Sequence, residues 1–485
     1  MPIEGVVQLQ AALLDLALSC YPKRADLIDT VLLTTSSSLA VQLSGGQNGA
    51  TFENCEARVQ YSSAAGRELV KLLRAVIDHY GGKILCILDL ANFPTVIGWL
   101  DFAAQRQVLI YLINQALEAG EMLQTPEHVN KSLALLHSLI VGAVGVASAQ
   151  STKPSVVSDP EDVHEEQTSI GRFLHLTAPT AEDGDESSNL DNHFLMISAA
   201  KKILLTPGAS AERLQFGLPP LIFQAMELAR RYENNREKDQ NWSAKVEKIF
   251  QFVHALCVAI GRTDQLAELA MRLFLSGATA VDRLQHFEAR ENIAYEFYSQ
   301  AFSIYEEEIT DSRAQQAALS FLIGALEQMS CFTTENHEPL RTKAAQAATK
   351  LLKKPDQTRA VGQCAHLFWS ARVLIDNEAQ PLREGKRVAE CLKRGLKIAS
   401  QSMDDLLTVQ LHVELLGHFV YFRQQGCADV KPAMLSQLVG KIQEGIQAVG
   451  DREDAAATKR HFECLTSFIR SRIDEGDSEF SEVTV

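Results

Sequence analysis

RELVKLLRAVIDHYGG, residues 67–82, decides the fold class. Leu69, Leu72, Leu73, Val76 and Ile77 recur at three- and four-residue spacing, which places them on one face of a helix, and Gly81-Gly82 stop it. The signature spreads in both directions. Val7, Leu9, Leu13, Leu14, Leu16 and Ala17 trace an earlier stripe; after the break at Pro22, Leu27, Val31, Leu32 and Leu39 trace the next. Ile84 to Leu90 predicts a short buried helix, and helical periodicity continues over Val108 to Leu117 and Val129 to Val144.

From about residue 190 the helices alternate quickly. Pro207-Gly208, Pro219-Pro220, Asn234-Asn235, Gly261, Asp311, Pro339, Pro355, Pro381, Asp404-Asp405, Gly426 and Gly450 punctuate them. That spacing gives one helix per roughly 20 residues and a pair per roughly 40, the period of HEAT-type arrays. No residue motif repeats at this period, so helix length and spacing carry the reading. The expected fold is all-α, a HEAT-like α-α superhelix (an α-solenoid) of antiparallel helix pairs. A helix bundle or two all-α domains are the alternatives.

Composition agrees. In 485 residues there are only 14 Pro and 27 Gly, which disfavours sandwiches and barrels. The net charge of -15 argues against generic nucleic-acid binding, which needs a face rich in Lys and Arg. The 9 Cys (Cys20, Cys55, Cys86, Cys257, Cys331, Cys364, Cys391, Cys427, Cys464) stand singly, without a C-x-x-C pair, and read as reduced thiols. No apolar stretch is expected to reach the roughly 20 residues that span a bilayer; the best candidate, Leu133 to Ala147, is too short and contains His137. No basic leader precedes the first helix, so no signal peptide is expected.

The chain divides into four expected parts. Residues 1–147 form the first helical repeats. Residues 148–190, rich in Ser, Pro, Asp and Glu, form an acidic, partly disordered insertion, interrupted by one apolar turn at Ile170-Gly171-Arg172-Phe173-Leu174. Residues 191–473 form the C-terminal repeats, and residues 474–485 an acidic flexible tail. Much of the negative charge falls in the insertion and the tail.

Motifs for chemistry are missing. There is no phosphate-cradling loop, no H-E-x-x-H and no G-x-S-x-G. His412 and His418 belong to different faces of one helix, and neighbouring Cys364 and His366 point apart, so neither pair reads as a metal or catalytic site. Glu306-Glu307-Glu308 before Asp311 reads as a solvated helix end, with Asp311 as the N-cap of the next helix. The expectation is no enzyme, no cofactor and no metal.

Two features rise above background. His366-Leu367-Phe368-Trp369 puts three bulky apolar residues in a row; on a helix these cannot share one buried face, which suggests either an inner helix packed on both sides or a contact with a partner. His418-Phe419-Val420-Tyr421-Phe422 has the same character. Basic residues also cluster against the acidic whole: Lys343, Lys350, Lys353 and Lys354 at one helix end, then Arg383, Lys386, Arg387, Lys393, Arg394 and Lys397. They read as a solvated outer face or as a docking patch for an acidic segment of a second copy.

Several blocks are distinctive: Ala294-Tyr295-Glu296-Phe297, Gln300-Ala301-Phe302-Ser303-Ile304-Tyr305-Glu306, Asn336-His337-Glu338-Pro339-Leu340-Arg341-Thr342, Lys350-Leu351-Leu352-Lys353-Lys354-Pro355-Asp356-Gln357 and Cys364-Ala365-His366-Leu367-Phe368-Trp369-Ser370. Together with Gly171-Arg172-Phe173-Leu174-His175 and Leu218-Pro219-Pro220-Leu221, they resemble the large α-solenoid subunits of retromer, the vacuolar protein sorting-associated protein 35 family. The resemblance covers essentially the whole chain and is strongest from about 290 to 400.

It implies a non-catalytic scaffold, cytoplasmic and peripheral on the cytosolic face of endosomes, in a coat that returns transmembrane cargo to the Golgi and the plasma membrane. A generic HEAT-type adaptor or transport-receptor solenoid is the alternative. In that family the C-terminal half holds the phosphoesterase-like vacuolar protein sorting 29 subunit and self-associates as a homodimer at the apex of the coat's arches. The arrestin-like vacuolar protein sorting 26 subunit binds a Pro-Arg-Leu-Tyr-Leu motif in the N-terminal half. That motif is missing here, so the chain resembles the C-terminal half and binding of that subunit is expected to be lost. Sorting nexins and endosomal regulators enter indirectly; nucleic acid and direct membrane insertion are not implied. Carried onto this chain, His366, Phe368, Trp369, Tyr421 and Phe422 become the expected binding residues for the phosphoesterase-like subunit, with the helix bearing His366, Phe368 and Trp369 as part of the receiving surface or its immediate support. Lys350, Lys353, Lys354, Lys393 and Lys397 become the expected self-association patch, and Asp311 a structural cap.

Overall fold

The computed structural model describes residues 2–43, 57–142, 160–177, 186–205, 211–376, 378–450 and 453–485. The glycine loop at Gly45, Gly46 and Gly49 and, within the acidic insertion, residues 148–159 and 178–185 lie outside them. The chain folds as two compact units, residues 1–256 and 257–485. Each is all-α and built of helices packed in adjacent pairs, as a HEAT-like solenoid requires.

In the first unit the helices are α1 (Ile3–Cys20), α2 (Ala25–Leu43), α3 (Ala64–His79), α4 (Ile84–Leu88), α5 (Phe93–Gly98), α6 (Phe102–Ala119), α7 (Pro126–Leu135), α8 (Pro160–Phe173), α9 (Glu186–Leu204), α10 (Ala211–Asn234) and α11 (Trp242–Gly261), whose last turns belong to the second unit. The opening stretch forms α3 as its spacing predicts: Leu69, Leu72, Leu73, Val76 and Ile77 are all buried. Helix starts follow capping chemistry. Ser63 Oγ accepts from Gly66 N–H, and Asp101 Oδ1 accepts from Ala104 N–H at 2.9 Å. Helix α1 is long and apolar enough to cross a membrane by length and composition, which the reading of the sequence passed over. It packs on α2 and α3 through Val7, Leu14 and Ala17.

Two expectations are corrected here. Residues 160–173 lie inside the expected acidic loop, yet they form α8, packed on α6 and α10. Its Glu166 is buried, with Oε2 accepting from Arg106 Nε at 2.8 Å and Oε1 accepting from Arg213 Nη1 at 3.1 Å. Polar composition hid a helix whose one buried carboxylate has two arginine partners. Pro219-Pro220 does not break a helix either, since both lie inside α10. Pro220 has no N–H for the Phe216 carbonyl. That oxygen turns to Gly171 of α8, where an added Cβ would come within 2.8 Å of it.

In the second unit the elements are α12 (Ala267–Asp282), α13 (Arg290–Glu307), α14 (Ser312–Gln328), α15 (Thr334–Lys350), α16 (Lys354–Leu367), β1 (Arg372–Ile375), β2 (Glu378–Pro381), α17 (Gly385–Ala399), α18 (Asp405–Gln424), α19 (Pro432–Val449) and α20 (Ala456–Asp474). Successive helices pack on each other. In addition, α12, α14, α16, α18 and α20 line up as one layer, and α15 reaches α13 through Lys343, which pairs with Glu306, and Asn336, which donates to Glu291. Pro339 falls in the second turn of α15 instead of ending a helix. The strands form an antiparallel hairpin with Val373 opposite Gln380, a short insertion between α16 and α17.

The segment after α20 is not a solvated tail. Phe480 is fully buried and Val483 nearly so, both in the same apolar cluster as Trp369, Phe419 and Phe462. Acidic flanking residues suggested solvation; two apolar anchors among them decide otherwise.

For the first unit we expect Glu166→Ala to cost about 3–5 kcal/mol, because it strands Arg106 and Arg213 beside a buried void. Urea unfolding followed by circular dichroism measures this, and a change below 1 kcal/mol counts against a buried triad.

Candidate interaction surface

Antiparallel alternation brings the α13–α14 turn and the α15–α16 turn to one end of the second unit. The first is acidic: Glu306 and Glu307 end α13, Glu308 caps it, and Asp311 begins α14. Asp311 Oδ2 accepts from Arg313 N–H and Ala314 N–H, each at 2.9 Å. These N–H groups, with nearby Lys353, hold its carboxyl below the usual range. The second turn is basic: Lys350 ends α15, Lys353 is the N-cap of α16 and Lys354 opens it. Lys350 and Lys353 are exposed, while Lys354 is half-buried with Nζ 3.3 Å from Gln357 Oε1.

Between the two turns lies a groove of about 370 Å³ lined by Tyr305, Glu306, Gln315, Lys343, Lys350 and Leu351. Lys343 Nζ bridges it to Glu306 Oε2 at 2.8 Å and stands 4.3 Å above the Phe302 ring. Leu352, between the lysines, is 79% exposed, which its place in an apolar pair of residues did not suggest. Helix α17 returns toward the start of α16, where Gly395 lies against the Thr358 carbonyl, so Lys397 comes to this end too. Lys393 sits about a turn further in, on the exposed face of α17.

Part of the charge in these turns opposes the helices that carry it. A helix C-terminus favours cations and an N-terminus favours anions. Lys350 at the end of α15 and Asp311 at the start of α14 follow that rule. Glu306, Glu307 and Glu308 at the end of α13, and Lys353 and Lys354 at the start of α16, run against it. Of these, Glu306 is offset by its ion pair with Lys343. The two turns are, however, complementary to each other.

The expected partner contacts are placed differently. Helix α16 ends at Leu367, so Phe368 and Trp369 leave the helix and turn inward; the crowding of three bulky residues on one helix never arises. Phe368, Trp369 and Phe422 are buried, which fits a place in the immediate support of a surface and not on the surface itself. The Phe368 ring lies between the guanidinium groups of Arg341 and Arg387, at 5.5 and 5.3 Å, and Arg383 stands 4.7 Å over Trp369. Thus Arg383 and Arg387 of the basic cluster are engaged with the core's rim. His366 is half-buried: its Nε2 is 3.3 Å from His418 Nδ1, and its ring packs against Tyr421 and Phe422. Of the five, Tyr421 is the one whose ring reaches well into solvent, at 36%. His412 faces elsewhere, 3.4 Å from Ser400 Oγ.

Among the described residues, no three His, Cys, Asp or Glu side chains are grouped so as to hold a metal ion. The described buried thiols are raised in pKa by desolvation, Cys391 to about 11, which leaves it a poor nucleophile at neutral pH.

Comparison with known proteins places this architecture. The sequence profile of vacuolar protein sorting-associated protein 35 matches residues 1–445. The chain belongs to that family. It is 33% identical to vacuolar protein sorting-associated protein 35A of Arabidopsis thaliana over 95% of its own length and 54% of the relative's. With 35C of the same plant it shares 30% over 99% and 56%, and with the Schizosaccharomyces pombe protein 25% over 93% and 48%. The chain thus spans about half the length of the relatives it matches.

The buried core predicts two measurable effects. Trp369→Ala removes a large buried side chain from the apolar cluster and is expected to cost about 3–5 kcal/mol. A variant that keeps its stability places Trp369 on the surface after all. Burial lowers the pKa of His337, His366 and His412 to about 4, with Arg341, His418 and Lys441 respectively adding to the effect. The unfolded chain therefore takes up protons first as pH falls through 6.5, and stability drops continuously down to about pH 4. His337 alone is expected to cost roughly 1 kcal/mol at pH 5.5. A urea midpoint unchanged between pH 7.5 and 5.5 contradicts neutral, buried imidazoles.

Proposed function

We propose that this chain is the C-terminal scaffold portion of a retromer-type sorting coat, acting on the cytosolic face of endosomes without chemistry of its own. The family supports the sorting role, and the relatives are named as sorting proteins. Its work is to hold other components in place by shape and charge, so its functional residues are contacts.

Self-association is the finer part of this reading, and the opposed charges of the two turns support it. A two-fold interface pairs each patch with the other: residue i meets j while j meets i. The acidic turn Glu306-Glu307-Glu308 of one copy faces the basic turn Lys350, Lys353, Lys354 of the second, and the reverse contact forms at the same time. Exposed Leu352 supplies the apolar centre. Lys397, at the same end, extends the basic half, and Lys393 lies at its margin.

The second component is the phosphoesterase-like vacuolar protein sorting 29 subunit. Tyr421, with the edge of His366, offers it an aromatic surface, and buried Phe368, Trp369 and Phe422 set the position of that surface from below.

Sedimentation velocity of Lys350→Glu/Lys353→Glu and of Glu307→Lys/Glu308→Lys tests the pairing. Each variant alone is expected to be monomeric, an equimolar mixture to recover association, and the native dimer to weaken as salt screens the contact. Unchanged association in both variants rejects the patch. For the second component, Tyr421→Ala is expected to reduce co-elution with the phosphoesterase-like subunit at an unchanged melting temperature. Co-elution equal to the unmutated chain sinks the Tyr421 assignment.

A further inference from the structure

We propose that the last repeat carries a peptide-binding groove, that the chain's own residues 477–485 fill it in the structure, and that it accepts from a partner an acidic, turn-forming segment with an aromatic residue followed three positions later by an aliphatic one. All three final helices contribute to holding the segment. After Gly476, with φ 80°, the chain leaves α20 and forms two consecutive turns, in which Phe480 N–H donates to the Asp477 carbonyl at 3.1 Å and Val483 N–H to the Phe480 carbonyl at 2.9 Å. Phe480 (0% exposed) and Val483 (6%) are its anchors, and the Phe468 ring of α20 meets Phe480 edge-on at 6.3 Å. Arg423 of α18 donates from Nε to the Glu479 carbonyl at 2.7 Å and from Nη2 to the Glu479 carboxylate at 2.9 Å. Arg472 of α20 holds Asp477 at 2.7 Å, and Ser436 Oγ of α19 accepts from Thr484 N–H at 2.9 Å.

This is how a protein holds a peptide: two side-chain anchors at fixed spacing, backbone groups read by side chains, and charge at the flank. The segment is held by its turns and by side-chain contacts and has no helix or strand of its own, so it can leave the groove without unwinding a helix. Opening uncovers Phe468 and leaves two arginines without these carboxylates. A ligand that restores both must be acidic and carry the same two anchors. Nothing basic follows Arg472, so the cis segment already has that chemistry.

The tether makes the groove self-closing. A segment on a short linker acts at an effective concentration of roughly 1 mM. If the bare groove binds such a peptide with a Kd of about 100 µM, it is closed about ten to one, and a peptide in trans binds about tenfold more weakly than to the open groove. The inference does not depend on the self-association reading, whose residues lie in other helices.

A fluorescein-labelled peptide of residues 474–485, added to the full chain and followed by anisotropy, tests this. Phe480→Ala/Val483→Ala in the chain is expected to tighten binding at least tenfold. Adding Arg423→Ala to that variant, or changing the peptide's own phenylalanine to alanine, is expected to abolish it. Equal affinity for the unmutated chain and the double variant overturns the proposal. So does binding that survives either further change. Loss of the cooperative melt in the double variant also overturns it, because the segment is then part of the core and not an exchangeable ligand.

Discussion

A helix that is apolar on every side must be covered on every side, and the second unit is organised around this constraint. Helix α18 buries Leu411, His412, Leu415, Phe419 and Phe422, which no single facing helix can cover. It is flanked by α16 and α20 in its own layer and meets α17 and α19 across the unit. The loops obey the same demand for burial with satisfied polar groups. Asp282 Oδ1 accepts from Ser330 N–H and Cys331 N–H, both at 2.7 Å, and Glu291 Oε1 accepts from the Thr333 N–H, the Thr333 hydroxyl and Asn336 Nδ2. Carboxylates from α12 and α13 thus fix where α15 begins, two elements further along. Each pair is positioned by the pair before it, which is how stacked repeats acquire a definite geometry.

The fold was legible because helix periodicity is a local property repeated many times. Leu69 to Ile77 show it, and so does the cap at Asp311. The misreadings share one cause: composition was read where a single long-range contact decides. Residues 160–173 look like solvated loop until Arg106 and Arg213 arrive around Glu166 from two other helices. Pro219-Pro220 looks like a stop until Gly171 makes room for the carbonyl that Pro220 leaves free. The final segment looks like a tail until Phe480 finds its cluster. Such contacts lie dozens of residues apart, and no windowed reading contains both partners.

The candidate surface was legible in part, for the same reason. Lys350, Lys353 and Lys354 stand out as a run. Their complement, Glu306 to Glu308, lies in the preceding pair and reads alone as an ordinary helix end. Only antiparallel packing sets the two turns side by side and shows the carboxylates at the end of α13 next to the lysines at the start of α16. The burial of Phe368 and Trp369 was not legible, because it follows from the helix ending at Leu367, a boundary that periodicity fixes poorly.

The net charge of -15 takes on a different meaning in this structure. Bulk negative charge opposes association of like copies, yet screening confines that repulsion to about 8 Å in physiological salt. Within that range only the facing turns matter, and those are mixed. In the proposed self-association, a two-fold contact between alternating patches sets local attraction against that repulsion. The charge that such a contact places against a helix dipole costs little, because it falls at solvated helix ends.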